Sequence, residues 1–176
     1  MERSSGRIAI RPAQPGDAAA IAAVYNAGIA GRGATFETRE KSAADVGGWF
    51  EDPLPLLVAV DGEAGVVGWA RATPYSTHDY YSGVAEASVY IDPAHRGRGT
   101  GSALMAALAA AAERAGIYKL IGKLFTGHEI SRALVARHGF REVGTHLRHG
   151  RLDGEWRDVL LVELPLGDAA PGQGAG

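Results

Sequence analysis

Apolar residues recur along this chain in two rhythms, and the points where one gives way to the other mark its elements. Residues 8–11 form a short extended run, and Pro15-Gly16 turns the chain toward Asp17. Asp17 is placed to cap a helix whose Ile21, Val24, Tyr25 and Ile29 share one face. A stretch broken by Gly31 and Gly33 leads through Ala34, Thr35, Phe36 and Glu37 to a second helix over residues 43–50, which must end before Pro53. Two apolar runs, 56–60 and 66–70, are separated by Asp61-Gly62 and a few further residues, the signature of an antiparallel hairpin. Residues 74–83 then lose periodicity and carry Tyr75, Tyr80 and Tyr81.

A buried strand is predicted over residues 85–91, closed by Asp92-Pro93. Next come a glycine-rich turn and a long alanine-rich helix with Leu104, Leu108 and Ala111 at core spacing, ending near Gly116. Residues 118–124 read as a strand, and a crossover through the preceding helix makes it parallel to strand 85–91. A further helix over residues 130–138 stops at Gly139, and strands 142–148 and 157–164 close the chain as a hairpin about Asp153-Gly154. The sum is an α/β fold on one mixed, twisted sheet: a single domain over residues 1–165, with residues 166–176 a disordered tail of small residues, Pro and Gly.

Composition narrows the function. The 176 residues are 46% hydrophobic and 22% charged, enough for one real core. Eighteen Lys and Arg against twenty Asp and Glu leave a net charge of -2, so no overall basic field exists to hold nucleic acid. The absence of cysteine removes disulfide scaffolds, thiolate zinc sites and cysteine nucleophiles, and suits the cytoplasm. The first eleven residues carry Glu2, Arg3, Arg7 and Arg11 and do not read as a signal peptide. No apolar stretch approaches the roughly 18 residues of a membrane span.

The glycine turn is the strongest chemical signal. A strand that enters a glycine-rich turn and opens a helix gathers unpaired backbone N-H groups at the positive end of the helix dipole, a seat for phosphate. Arg96 and Arg98 add charge, and Gly97, Gly99 and Gly101 keep side chains clear of a ligand. Thr100 and Ser102 complete the run. A dinucleotide fingerprint fails because Ser102 stands at its third glycine. A Walker loop fails at Gly116 to Lys123, which has one residue too many between its glycines and Leu124 in place of Ser or Thr.

The run Arg96-x-x-Gly99-x-Gly101 after a strand ending in Asp92-Pro93 resembles the GCN5-related N-acetyltransferase (GNAT) family. Further likeness, at residues 85–91, Tyr25-Asn26, residues 34–37, residues 131–134 and residues 153–159, is to its phosphinothricin and arsinothricin acetyltransferase branch, and spans residues 8–164. The resemblance implies an acyl-CoA N-acyltransferase fold with splayed central parallel strands, acetyl-CoA as cosubstrate and no metal. It implies acetyl transfer to the primary amine of a small amino-acid-like compound of the phosphinothricin, methionine sulfoximine or arsinothricin type, in some relatives as a resistance activity, and a homodimer.

Site residues follow from the same likeness. The turn from Arg96 to Ser102 is to cradle the pyrophosphate, with Val89, Tyr90 and Ile91 alongside the pantetheine arm. A backbone N-H near Tyr90 or Ile91 is to meet the developing oxyanion. Glu86 is to be the base that an ammonium acceptor requires before it can attack. His128 stands where the branch carries an asparagine toward the pantetheine, and Ser131 and Arg132 are to meet the phosphates. His78 stands where the branch carries a substrate-binding arginine, and Phe36, Tyr75 and Tyr81 are to help wall the acceptor pocket. His138 replaces the tyrosine that many members carry just before the glycine, and reads as a helix-terminal histidine.

Other constellations are weaker. His128-Glu129 lacks the second histidine of a zinc helix, and His146 and His149, three apart on a strand, are expected to face opposite ways. No serine-hydrolase elbow occurs. Trp156 and Asp158 fall in the closing hairpin, beside the active site or a dimer contact in the family pattern. The rival readings are acetylation of a protein or peptide N-terminus and a non-catalytic acyl-CoA sensor. None involves nucleic acid or a membrane.

Overall fold

The computed structural model describes residues 8–170. Its strands are β1 (Ala9–Pro12), β2 (Leu56–Asp61), β3 (Gly65–Pro74), β4 (Val84–Ile91), β5 (Lys119–Phe125), β6 (Arg141–Leu152) and β7 (Glu155–Pro165). Its helices are α1 (Ala18–Ala30), α2 (Ala43–Gly47), α3 (Thr100–Arg114) and α4 (Glu129–Arg137). The strands form one sheet in the order β1-β2-β3-β4-β5-β7-β6, in which β4 and β5 make the parallel pair and all other neighbours run antiparallel. The mixed α/β sheet expected from the pattern is what forms. No described helix is long and apolar enough to cross a membrane.

Each face of the sheet carries its own core. On one face Ile21 and Val24 of α1 and Val46 of α2 close over Val58 and Trp69. On the other, Leu104, Leu108 and Ala112 of α3 bury Val67, Ala70 and Leu120. Burying each such Val, Leu or Ile side chain contributes about 1.5–3 kcal/mol, so these stripes fix both layers. Asp17 begins α1 differently from expectation. Its carboxylate takes no helix N-H; it accepts from Gln14 N-H at 2.8 Å and from the Arg11 guanidinium at 2.7 and 2.9 Å, pinning the 3-10 turn ahead of the helix.

Alternation along β4 divides its side chains between the layers. Ala85, Ala87, Val89 and Ile91 meet the α3 core, while Tyr90 packs with the α1 core and stacks on Trp69 at 4.8 Å. Glu86 and Ser88 share the Tyr90 side. The approach is close: a Cβ on Gly28 of α1 would lie 2.8 Å from the Tyr90 ring.

The functionally decisive feature is where β4 and β5 part. They pair only at Val84 with Lys119, Ala85 with Leu120 and Glu86 with Ile121. Beyond Glu86 the strands diverge, and β5 continues beside β7.

Two expectations need correction. Leu166, assigned to the tail, is buried in the α3 core and its N-H donates to Tyr118 O at 2.8 Å, and one 3-10 turn, Gly167–Ala169, follows. Residues 171–176 of the expected tail lie outside the described residues. His146 and His149 do not face opposite ways; their rings stack with centroids 4.4 Å apart. The β6-β7 register slips between His146 and Gly150, and Arg148 takes a left-handed φ of 50°, so simple alternation fails there.

Candidate active site

The divergence of β4 and β5 opens a cavity of about 720 Å³ through the sheet. Its walls are residues 86–90 of β4, residues 122–125 of β5, Met105 of α3, and Ser131, Leu134 and Val135 of α4. On the α1 side it is closed by Tyr25, residues 33–37, and His149 and Gly150 of β6. Of the residues singled out in the sequence, the cavity brings together Phe36, Glu86, Val89, Tyr90, His128 and Ser131.

Glu86 sits at the last paired position of β4, where the cavity begins, and is half-buried. Its carboxylate accepts a hydrogen bond from Lys123 Nζ at 2.7 Å. Lys123 lies two residues beyond Ile121, the pairing partner of Glu86, and so projects to the same face of the sheet. Sequence reading missed Lys123 because a lone lysine in a strand of alternating apolar residues looks like an ordinary solvent-facing position. It missed His149 because the register slip that brings this residue to the cavity has no local signature.

The glycine turn lies just past the end of β4. Gly97 and Gly99 have φ of 74° and 81°, conformations that glycine adopts without a Cβ penalty, and nothing stands within 4 Å of either Cβ position. Gly99 caps α3, leaving the N-H groups of Thr100, Gly101 and Ser102 without partners inside the helix. Thr100 Oγ1 is buried and has no hydrogen-bond partner. A buried hydroxyl left unpaired at a helix N-terminus costs stability until a ligand or solvent satisfies it. Among the described residues neither Arg96 nor Arg98 pairs with a carboxylate; Arg96 Nε donates to Ile91 O at 3.4 Å. The turn is not part of the cavity wall, but a Cβ on Gly101 would touch Leu134, which is. Donor set, charge and open glycines fit an anionic diphosphate.

Tyr90 lines the cavity, pairs with Trp69 of β3 and packs its ring against Trp69 and Tyr25. Its hydroxyl donates to Ala34 O at 3.2 Å, and burial, foremost, pushes its ionisation well above the ordinary phenol range. His128 caps α4, its Nδ1 accepting Ser131 N-H at 3.2 Å. In the neutral ring this leaves the proton on Nε2, a donor available beside the cavity. Arg132, at the start of the same helix, is held by Glu142 through contacts of 2.6 and 3.1 Å. His138 caps the other end of α4, in keeping with its reading as a helix-terminal histidine.

Three expected acceptor contacts lie elsewhere. Tyr75, His78 and Tyr81 do not line the cavity. They belong to an exposed aromatic group at the β3-β4 turn, in which His78 stacks on Tyr80 at 5.1 Å and Tyr75 meets Tyr81 edge-on at 5.7 Å. Phe36 does line it, packed edge-on against Phe125 at 4.8 Å. A side pocket of about 380 Å³, reached past Gly33, Phe125 and His128, is lined by Arg32, Trp156, Arg157 and Asp158 among others.

Among the described strands the sheet is split at its one parallel junction, with a glycine turn ending one lip and a carboxylate at the root of the split, an arrangement that suits an acyltransferase. The chain belongs to the acetyltransferase (GNAT) family, whose profile matches residues 22–140. It is 31% identical to the phosphinothricin N-acetyltransferase of Streptomyces coelicolor over 92% of this chain and 98% of that protein. It is 29% identical to the L-methionine sulfoximine/L-methionine sulfone acetyltransferase of Pseudomonas aeruginosa over 89% of this chain and 94% of that one. The crystal structure of a phosphinothricin acetyltransferase from Sinorhizobium meliloti in complex with acetyl-CoA superposes with a TM-score of 0.87 at 28% identity, covering 94% of this chain and 92% of that one.

Proposed function

We propose that this protein transfers the acetyl group of acetyl-CoA to the primary amine of a small amino-acid-like compound, with Glu86 as the base. One observation carries the reading: Glu86 and the glycine turn sit at opposite ends of the lip of β4 that borders the split. At about 3.3 Å per residue, the five residues from Glu86 to Ile91 span roughly 16 Å. An extended pantetheine arm bridges that span.

Acetyl-CoA supplies the activated acyl group; the chain supplies everything else. The turn from Arg96 to Ser102 holds the diphosphate through backbone N-H groups and the two guanidinium groups. His128 Nε2 donates to an amide of the arm, and Ser131 lies beside it. An acceptor ammonium has no lone pair, so Glu86 first takes one proton from it, directly or through a water; the neutral amine then attacks the carbonyl carbon, and the nitrogen's second proton passes to solvent as the tetrahedral adduct collapses. A backbone N-H near Tyr90 or Ile91 meets the charge building on the carbonyl oxygen. The C-S bond breaks with its electron pair on sulfur, and solvent protonates the thiolate.

The acceptor approaches from the α1 side, where Phe36, Thr35 and His149 border the cavity. Phosphinothricin and methionine sulfoximine, acceptors of the relatives, are the compounds to try first. A homodimer completes the reading, supported by an edge strand β6 that exposes Val143 and Leu147. The cysteine-free composition suits a cytoplasmic setting, and a resistance role follows wherever the acceptor is toxic.

The deciding experiment follows coenzyme A thiol release across a panel of amino-acid analogues, with Glu86→Gln alongside. Native protein should release thiol with a subset of the panel, and E86Q should turn over about 10²–10⁴-fold more slowly while still binding acetyl-CoA. If no amine of the panel elicits thiol release although acetyl-CoA binds, the sensor or peptide readings gain.

A further inference from the structure

The acceptor's anionic group needs an anchor, and the position where sequence reading expects one, His78, lies outside the cavity. Among the residues that line the cavity, Lys123 is the one lysine or arginine. It is also the partner of Glu86, at 2.7 Å, across the point where β4 and β5 part. Glu37, the other carboxylate in the wall, is already engaged by Lys41 at 3.0 Å.

We infer that Lys123 is the specificity-determining residue for the acceptor's carboxylate, and that the protein therefore selects zwitterionic α-amino acids over plain amines. The inference rests on the acetyl-transfer reading and names the substrate class within it. An α-amino acid carries an ammonium and a carboxylate on one carbon. The Glu86-Lys123 pair presents the complementary charges side by side. The guest enters with its ammonium toward Glu86 and its carboxylate toward Lys123, so one internal ion pair is exchanged for two pairs with the ligand. No charge is left desolvated and unpaired, which is the condition under which exchange of buried or half-buried ions is tolerated. When Glu86 then takes the amine proton, Lys123 still holds the carboxylate and keeps the nitrogen aimed into the split. A simple amine satisfies Glu86 but strands the Lys123 ammonium without its partner.

The test compares L-methionine sulfone and L-phosphinothricin with their α-carboxamides, which keep the amine and shape but lose that charge, using native protein, Lys123→Met and Lys123→Arg. Native protein should favour each acid over its amide in kcat/KM. K123M should raise KM for the acids by about tenfold or more, the loss of a charge-assisted contact, and lower KM for the amides, because no ammonium is left stranded. K123R should recover most of the preference. If Lys123 only steadies Glu86, K123M lowers kcat for acids and amides alike, and the inference is overturned. An unchanged KM for the acids in K123M overturns it too. Thiol release from native protein with amides or plain amines but with no α-amino acid overturns it while acetyl transfer stands. Failure of every amine to elicit thiol release removes small-amine acetyl transfer itself, and this inference with it.

Discussion

Ser102 Oγ and His138 Nε2 lie 2.8 Å apart, so the first turn of the helix that leaves the glycine turn is tied to the residue capping α4. The two helices flanking the candidate diphosphate seat are thereby fixed relative to each other. A histidine that looked like a generic helix terminus thus acts as a strut between α3 and α4.

Breaking this strut should loosen donor binding without touching the chemistry. Ser102→Ala and His138→Ala are each expected to weaken acetyl-CoA binding by about three- to tenfold, the worth of one hydrogen bond. Titration calorimetry should show the rise in Kd, with kcat at saturating acetyl-CoA within twofold or so of native.

The guanidinium groups of the turn should matter more. Replacing Arg96 and Arg98 together by Ala removes two charges that form no ion pair with a described carboxylate. Each charge-assisted contact contributes about 1.5–3 kcal/mol, so affinity for acetyl-CoA should fall by at least about a hundredfold. Binding should also lose most of its sensitivity to salt. Unaltered affinity would place the donor elsewhere.

Two glycines should respond to the same substitution in different ways. A Cβ on Gly28 meets the Tyr90 ring at 2.8 Å, inside a packed layer where Tyr90 is held by Trp69 and Tyr25. Gly28→Ala should cost about 1–3 kcal/mol of stability, seen as a lower melting temperature. A Cβ on Gly150 meets Phe36 at 2.7 Å, but Phe36 sits on a partly exposed loop and can swing. Gly150→Ala should leave the melting temperature almost unmoved and change KM for the acceptor, because Phe36 borders the cavity.

Acid stability should report the Arg11-Asp17 pair. The hydrogen bonds from Arg11, foremost, hold the Asp17 carboxyl below its ordinary value of 3.8, aided by Gln14 N-H and opposed by burial. A lowered folded-state value means that the contribution is complete above the unfolded value and is lost as pH falls through the folded one. Asp17→Asn should therefore be less stable than native protein at pH 7. The gap should narrow once pH drops below about 3.8 and close at lower pH, as followed by urea unfolding at each pH.

Local chemistry made most of the fold legible. The glycine turn announced α3, the crossover rule made β5 parallel to β4, and Asp153-Gly154 marked the hairpin, where both residues take positive φ. Glu86, His128 and Phe36, each singled out from a motif with neighbours in sequence, line the cavity. What stayed hidden depends on contacts between distant segments. Lys123 becomes notable only when β5 is set in register with Glu86. His149 reaches the cavity only through a slip in the β6 ladder. Tyr75, His78 and Tyr81 leave it because a 3-10 turn at Asp79–Tyr81 folds them onto one another at the surface. Leu166 escaped notice as one apolar residue in a run of small ones, yet it plugs the base of the α3 core.

Three residue pairs are all that stitch β4 to β5. Past them, β4 keeps a ladder on its β3 side and offers a raw edge to the split. Amide protons on that edge have no strand to shield them, so they should exchange quickly in the free protein and slow sharply once an amide-bearing donor arm lies along it. A donor arm along that edge would complete the weave of a sheet that the α3 core holds together across the split, so the melting temperature should climb with donor concentration.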